Sequence, residues 1–193
     1  MTHAIIIVGN SKGFLDESLV FRNYLHNFAR ITTNTIRAAY MDEDTLRRKL
    51  MRILHLHHHE PLLIVYSGHG EKEGWTPNED CLFRYDSLSL LLLFRVQPTI
   101  VIADCCYSGA LISEMKKNGP DLELFEAITS ADGKSKCFGG LLKDVQEFWR
   151  KGSVFVPEKK IKIRYRREKK IKTYAIWQMR YGAYLDELCF MRH

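Results

Sequence analysis

Short, uninterrupted apolar runs recur along this chain, and stretches with helical spacing separate them. The runs are continuous and rich in β-branched residues, and they read HAIIIVG, PLLIVYSGHG, PTIVIAD and LFEAITSA. Such runs are typical of strands that are buried on both faces of a parallel sheet. Because strand and helix patterns alternate almost throughout, we predict an α/β fold. The sheet should have about six strands, mainly parallel, with helices on both faces.

The predicted elements follow these patterns. Strands are expected at residues 3–9, 35–40, 61–70, 98–104, 124–131 and 173–179. Helices are expected at residues 15–29, 88–94, 109–117 and 141–149, and after a cap at Asp42 or Asp44. In sheets of this kind the functional residues lie just beyond the carboxyl ends of the strands.

The composition is that of one globular domain covering residues 1–193, with 46% hydrophobic and 27% charged residues. No apolar run approaches the roughly 20 residues that span a bilayer, and the N-terminus lacks the features of a signal peptide. The cysteines show no CxxC spacing, which indicates free thiols in a reducing compartment. We therefore expect a cytoplasmic protein in which Cys81, Cys137 and Cys189 are structural.

Two predicted strands end in sequences that carry chemistry, YSGHG at 66–70 and DCCYSG at 104–109. A cysteine peptidase needs a thiol, a base that activates it and donors for the oxyanion of the tetrahedral intermediate. The first strand end offers His69 between two glycines, and the second offers Cys105 and Cys106 before a turn into a helix. Neighbouring parallel strands lie about 4.8 Å apart, so an imidazole and a thiol at these two ends can meet.

This ordered pair of motifs resembles the caspase-like cysteine peptidases of clan CD, family C14, and among them the metacaspase and bacterial orthocaspase type. Those enzymes carry Ser-Gly-His-Gly followed by Asp-x-Cys-(His/Tyr)-Ser-Gly, whereas animal caspases carry a Gln-Ala-Cys-x-Gly sequence that this chain lacks. The resemblance covers about residues 4–150 and is strongest in 61–111. It implies that His69 is the base and Cys106 the nucleophile. It also implies that the backbone N–H groups of Gly70 and Cys106 form the oxyanion hole.

The alternation of side chains along a strand separates the two adjacent cysteines. Asp104 and Cys106 are expected to face the cleft, and Cys105 is expected to pack into the core. A carboxylate beside the nucleophile would form an acidic floor for the residue before the scissile bond, which suits Arg or Lys. The resemblance likewise implies cleavage after basic residues, with Asp16, in the loop expected after the first strand, as a second wall. We therefore predict a cysteine endopeptidase that cleaves protein or peptide substrates after Arg or Lys.

No cofactor and no metal ligand is predicted. Calcium-dependent relatives use acidic clusters, but no calcium-loop spacing fits the acidic residues that follow His69, which are Glu71, Glu73, Glu79, Asp80 and Asp86. Calcium activation is therefore an alternative without support. The tract HLHHHE at 55–60 lacks the ligand spacing of a zinc site, so a solvated helix end is favoured. His69 and Cys106 are 37 residues apart, fewer than in caspases, so the loop at 71–86 is expected to be trimmed.

The positive charge of the chain is concentrated near its C-terminus. Residues 147–193 hold 13 Lys and Arg against 5 Asp and Glu, whereas residues 1–146 hold 16 against 18. The segment 158–172 alternates basic and apolar residues, which predicts a solvated β-hairpin. A contact with nucleic acid or an acidic partner is the alternative. The alternative function is accordingly a catalytically silent caspase-like module that binds partners or nucleic acid through this segment; a legumain-like protease would carry a secretory signal.

The segment MKKNGPDLE at 115–123 is predicted to be an exposed loop. It carries basic residues of the kind that the predicted enzyme cleaves, so we predict self-cleavage at Lys116 or Lys117. The family resemblance further implies a role in regulated cell death or defence.

Overall fold

The computed structural model describes residues 2–121, 124–137, 139–150, 160–164, 171–175 and 177–179, the last three ranges by their backbone. The strands are β1 (His3–Val8), β2 (Thr32–Arg37), β3 (Leu62–Ser67), β4 (His69–Gly70), β5 (Gly74–Asn78), β6 (Cys81–Arg84), β7 (Thr99–Asp104), β8 (Phe125–Thr129), β9 (Lys160–Arg164), β10 (Ile171–Ala175) and β11 (Trp177–Met179). The α-helices are α1 (Lys12–Asn27), α2 (Glu43–Leu56), α3 (Tyr85–Leu92), α4 (Ala110–Asn118) and α5 (Leu141–Arg150). No helix in these ranges has both the length and the hydropathy to cross a bilayer.

The main sheet has six strands in the order β11-β8-β7-β3-β1-β2. The pairs β8–β7, β7–β3, β3–β1 and β1–β2 are parallel, and β11 pairs antiparallel with β8 at one edge. The strands next to β3 on either side are the apolar runs of the sequence, β1 and β7, and every residue of these three strands is buried. Continuous burial on both faces explains why these strands read as unbroken apolar runs.

Helices cover both faces of this sheet because successive side chains of a strand point to opposite faces. In β1, Ile5 and Ile7 pack in one core with residues of α2, α3 and α4. Ala4 and Ile6, which alternate with them, pack in the other core with residues of α1 and α5. The predicted α/β fold, with about six mainly parallel strands and helices on both faces, is therefore confirmed.

Two element boundaries near the N-terminus differ from the prediction. Helix α1 begins at Lys12 instead of residue 15, because Ser11 accepts a hydrogen bond from the Gly13 N–H and caps the helix. Strand β2 begins at Thr32, before the predicted segment 35–40, and ends at Arg37, since Ala38–Tyr40 forms a short 3-10 helix. Because β2 lies at the edge of the sheet, most of its side chains are at least partly exposed, and it lacks the apolar run that marks the central strands.

The expectation that residues 71–86 form a loop was wrong. This stretch contains β5 and β6, which form a three-stranded antiparallel sheet with the short strand β4 that carries His69. Trp75 of β5 is fully buried and stacks on Tyr66 of β3 at 4.5 Å between ring centroids. The small sheet, which includes β4, is thereby packed against the main sheet.

The C-terminal elements fall in the part of the chain described by its backbone. The strand predicted at 173–179 divides into β10, which pairs antiparallel with β9, and β11, which joins the main sheet. The β9–β10 pair lies where the basic hairpin is predicted, but residues 158–159 and 165–170 lie outside the described residues. Cys189 lies outside them as well.

Candidate active site

The two motif segments leave the main sheet side by side. Strands β3 and β7 are parallel neighbours, and their last residues, Ser67 and Asp104, are partners in the register. The chain stays paired just past this point, since the Gly68 N–H donates to the Asp104 carbonyl oxygen at 3.3 Å. The segments with His69 and Cys106 therefore begin at adjacent points on the carboxyl edge of the sheet, where α/β folds place their sites.

His69 is exposed, but its backbone is fixed. The buried Tyr66 hydroxyl donates to the His69 carbonyl oxygen at 2.6 Å. Gly68 permits this hydrogen bond, because a side chain at that position would overlap the Tyr66 hydroxyl group. The edge of the Phe14 ring lies against the imidazole, with 5.0 Å between ring centroids. The hydrogen bond from Tyr66 and the Phe14 ring therefore position His69, and its imidazole remains accessible to solvent.

Gly70 brings the histidine segment into direct contact with the cysteine pair. A Cβ atom at Gly70 would lie 2.5 Å from the Cys106 carbonyl oxygen and 2.9 Å from the Cys105 sulfur. Any side chain here would push the two segments apart, so the close approach requires glycine. Among the described residues, none accepts a hydrogen bond from the Cys106 N–H.

The two adjacent cysteines lie in opposite environments. Cys105 is 1% exposed and packs in the core between the sheet and α2, α3 and α4. Burial and the charge of Asp104 raise its pKa well above the ordinary value. Cys106 is half-buried, and a hydrogen bond with the Cys137 side chain lowers its pKa to about 6, helped by the positive charges of Lys136 and His69. Cys106 is therefore the cysteine that carries a thiolate near neutral pH, and thiolates are the reactive form.

The residue after Cys106 has an uncommon backbone conformation. Tyr107 adopts a left-handed φ of 55°, which costs a non-glycine residue about 1 kcal/mol or more. Its N–H donates to the Ser135 carbonyl oxygen at 2.9 Å, and this bond holds the conformation. The turn redirects the chain from β7 into α4 and leaves Cys106 at the tip, an example of strain stored at a site. Neither Tyr107 nor Ser135 was identified from the sequence.

Asp104, the last residue of β7, is buried, and its two carboxylate oxygens lie in different environments. It shares its face of β7 with Ile102, toward the core that contains α1 and α5. One carboxylate oxygen, Oδ2, accepts a hydrogen bond from the Leu141 N–H at the start of α5, at 3.0 Å. The other oxygen, Oδ1, is buried and has no hydrogen-bond partner in the described part of the chain. Burial raises the pKa of Asp104 to about 6, although Ser130 and the N–H groups at the start of α5 oppose the rise.

The second acidic group near Asp104 is Glu17, which the sequence analysis missed. Asp16 lies in the first turns of α1 instead of a loop, is exposed, and forms an ion pair with Lys12 on the surface. Glu17 is half-buried, and burial together with the charge of Asp104 raises its pKa to about 7. The signal was available in the sequence, because Glu17 is four residues before the buried Phe21 and so lies on the sheet-facing side of the helix.

Glu17 also lines a cleft between α1 and α5 with a volume of about 440 Å³. Gly140, which directly precedes α5, also lines this cleft, as do Lys143 and Arg150 of α5. Asp104, His69 and Cys106 are not among the residues that line this cleft.

The histidines of the tract at 55–60 are engaged in other contacts. His57 stacks on His3 with 3.6 Å between ring centroids and forms an ion pair with Glu60 at 3.3 Å. Among the described residues, no group of three or more His, Cys, Asp or Glu side chains is arranged to hold a metal ion.

Comparison with known proteins identifies the fold. No family model and no curated protein sequence matches the chain. Among solved structures, caspase-1 from Spodoptera frugiperda superposes with a TM-score of 0.57 at 12% identity, over 78% of this chain and 69% of that one. The Arg-specific cysteine proteinase gingipain R gives 0.50 at 14% identity, over 75% and 34% of the chains. A secreted C11 cysteine protease from Bacteroides thetaiotaomicron gives 0.50 at 14% identity, over 76% and 53%. The chain has a caspase-like fold and spans part of the length of each neighbour.

The substitution Asp104→Asn is expected to increase the free energy of unfolding at neutral and alkaline pH. The pKa of this carboxyl group is raised from 3.8 to about 6 in the folded protein, so the ionised form is destabilised by about 3 kcal/mol at most relative to the unfolded chain. The folded state binds more protons than the unfolded state between these values. The gain should therefore be complete above about pH 7 and should shrink as the pH falls from 6 toward 4.

Urea unfolding at about pH 8 and about pH 5 measures this difference. Asp16→Asn, an exposed carboxylate on the same side of the fold, is the control and should change stability by less than about 0.5 kcal/mol at both values. If Asp104→Asn is less stable than the wild type at pH 8, the hydrogen bonds of the ionised carboxylate with the start of α5 contribute more than its burial costs, and the prediction is wrong.

Proposed function

We propose that this protein is a cysteine endopeptidase that cleaves protein or peptide substrates after Arg or Lys, with Cys106 as nucleophile and His69 as base. The observation that carries the proposal is the direct contact of the His69–Gly70 segment with the Cys105–Cys106 peptide. The lowered pKa of Cys106 supports the assignment of the nucleophile, since Cys105 is buried with a raised pKa.

The proposed reaction follows from the groups at the site. The Cys106 thiolate attacks the carbonyl carbon of the scissile peptide bond, and the negative charge moves to the carbonyl oxygen. The N–H of Cys106 and the N–H of Gly70 stabilise this oxyanion. His69 donates a proton to the departing amine, which leaves an acyl-enzyme on Cys106. Water, activated by His69, then attacks the thioester and restores the free thiolate.

The acidic pair supports a preference for basic residues. Asp104 and Glu17 are carboxyl groups whose ionised forms are unfavourable in the free protein, because both are at least partly buried and because the charge of Asp104 acts on Glu17. A guanidinium or ammonium group beside them would lower both pKa values and offset the cost of burial. An aspartate side chain at the same place would add a further negative charge. A neighbour of the same fold, gingipain R, is Arg-specific, which agrees with this proposal.

Several expectations stay predictions. These are the metacaspase or orthocaspase type, the cytoplasmic location, the role in cell death or defence, and a single domain over 1–193. Self-cleavage also stays a prediction, but Lys116 and Lys117 are exposed in the last turn of α4 and not in a loop. Because peptidases bind extended chains, cleavage there would require this turn to unwind. The alternative of a silent binding module depends on 158–172, whose side chains lie outside the described residues.

Reporter peptides ending in Arg, Lys or Asp test the activity and the choice of cysteine. Cleavage is expected for the Arg and Lys peptides and not for the Asp peptide. Cys106→Ala should lower kcat/KM by at least about 1,000-fold, because the nucleophile is lost. Cys105→Ala is the matched control, and it should retain turnover because this side chain lies in the core. Equal activity of the Cys106→Ala variant and the wild type would rule out the mechanism.

A second set of variants tests the acidic pair. Glu17→Gln and Asp104→Asn should each lower kcat/KM for the Arg peptide by about 10- to 100-fold, since a charged hydrogen-bond partner is lost. In the same two variants, kcat/KM for a citrulline peptide, which has nearly the same shape as the Arg peptide without its charge, should change much less. KM of the wild type for Arg should fall as the pH rises through about 7, where Glu17 ionises, and Glu17→Gln should lack this dependence.

Asp16→Asn is the control for the neighbouring position and should behave as the wild type. If both acidic variants keep the full preference for Arg over citrulline, the proposed specificity pocket is wrong even where the peptidase activity is present.

A further inference from the structure

A second thiol lies against the proposed nucleophile and has no part in the reaction described above. The Cys106 sulfur lies 3.7 Å from the Cys137 carbonyl oxygen, and the two side chains share a hydrogen bond. Ser130 donates to the Cys137 sulfur at 3.1 Å. Both cysteines are free and half-buried. Cys137 was expected to be a structural cysteine, but the structure places it at the site.

The loop that carries Cys137 is anchored along the end of β7 and the cysteine segment, so the pairing of the thiols is a built feature. The Ser130 N–H donates to the Ala103 carbonyl oxygen at 3.1 Å, and Ser130 Oγ accepts from the Cys105 N–H at 3.1 Å. Five residues further on, the Ser135 carbonyl oxygen binds the Tyr107 N–H. The loop thus crosses the site directly after Cys106 and holds the Cys137 sulfur beside it.

We propose that Cys106 and Cys137 form a reversible disulfide when a hydroperoxide oxidises the nucleophile, which makes Cys137 the resolving thiol of a redox switch at this site. The proposal rests on the reactive Cys106 thiolate of the proposed function. The disulfide would cover the nucleophile and stop peptide cleavage. It would also protect Cys106 from irreversible oxidation.

The chemistry balances in two steps. The Cys106 thiolate attacks a peroxide oxygen, the O–O bond breaks, and a sulfenic acid and an alkoxide or hydroxide form, which takes up a proton. The Cys137 thiolate then attacks the Cys106 sulfur, the S–O bond breaks, and hydroxide leaves and is protonated to water. Two thiols are oxidised to one disulfide, and one hydroperoxide is reduced to an alcohol or water, with a second water released.

The first step also prepares Cys137 for the second. In the reduced protein the hydrogen bond with Cys106 is the largest cause that raises the pKa of Cys137. Once Cys106 is a sulfenic acid, its negative charge is gone and this cause is removed, so the Cys137 thiol ionises more easily. The other described cysteines are poor competitors, because Cys81 and Cys105 are buried and their pKa values are raised.

The experiment treats the full chain with hydrogen peroxide, blocks remaining thiols with an alkylating reagent, and maps peptides without reduction. The wild type should lose about 2 Da and yield one linked pair of peptides that contains Cys106 and Cys137, and dithiothreitol should reverse both changes. In Cys137→Ser the link cannot form, so Cys106 should advance to the sulfinic acid, a gain of about 32 Da that dithiothreitol does not remove. Cys105→Ala is the matched control and should form the link as the wild type does.

The readout is a mass, so it is separate from the test of peptidase activity. Sulfinic acid on wild-type Cys106 without the linked pair, or the same oxidation products in Cys137→Ser and wild type, would overturn the redox proposal alone. A linked pair in a protein that cleaves no reporter peptide would overturn the proposed function and leave the redox chemistry standing.

Discussion

The close approach of Gly70 to the Cys105–Cys106 peptide is the constraint on which the rest of the site depends. It joins two segments that leave the sheet from neighbouring parallel strands, and it is possible because position 70 has no side chain. The small sheet with Trp75 holds the histidine segment on one side. The loop after β8 holds the cysteine segment on the other side through Tyr107 and Ser135. The main sheet therefore determines where the segments start, and these secondary contacts determine how they meet.

The site concentrates features that are unfavourable for stability. Asp104 is buried, and one of its oxygens has no hydrogen-bond partner among the described residues. Glu17 is held near it, and Tyr107 adopts a left-handed conformation. A substitution that removed any one of these unfavourable features would also alter the proposed site. Asp104 has a second role as well, since it accepts a hydrogen bond at the start of α5, and this bond couples the helix to the specificity pocket that we propose. Buried polar groups of this kind are common where a fold supports function at the expense of stability.

Much of the fold follows from local patterns in the sequence. The central strands are predictable because burial on both faces demands unbroken apolar runs, and the motifs at the ends of β3 and β7 mark the site. The strands of the small sheet were missed because five residues such as GWTPN show neither alternation nor an apolar run. Glu17 could have been found from its helical spacing to Phe21, but Asp16 was expected in a loop that the early start of α1 at Lys12 removes. Cys137 could not be placed, since its position depends on hydrogen bonds between the loop after β8 and the end of β7.

The most direct test of the account is to label the protein with an irreversible, Arg-containing, thiol-directed probe and to identify the modified residue by peptide mapping. We expect modification of Cys106 in the wild type, a marked loss of labelling in His69→Ala, and little labelling by the same reagent with Asp in place of Arg. These results would join the thiolate, the histidine and the acidic pair in one site. Absence of label at Cys106, or equal labelling by the Arg and Asp probes, would contradict the proposal of a peptidase that cleaves after basic residues.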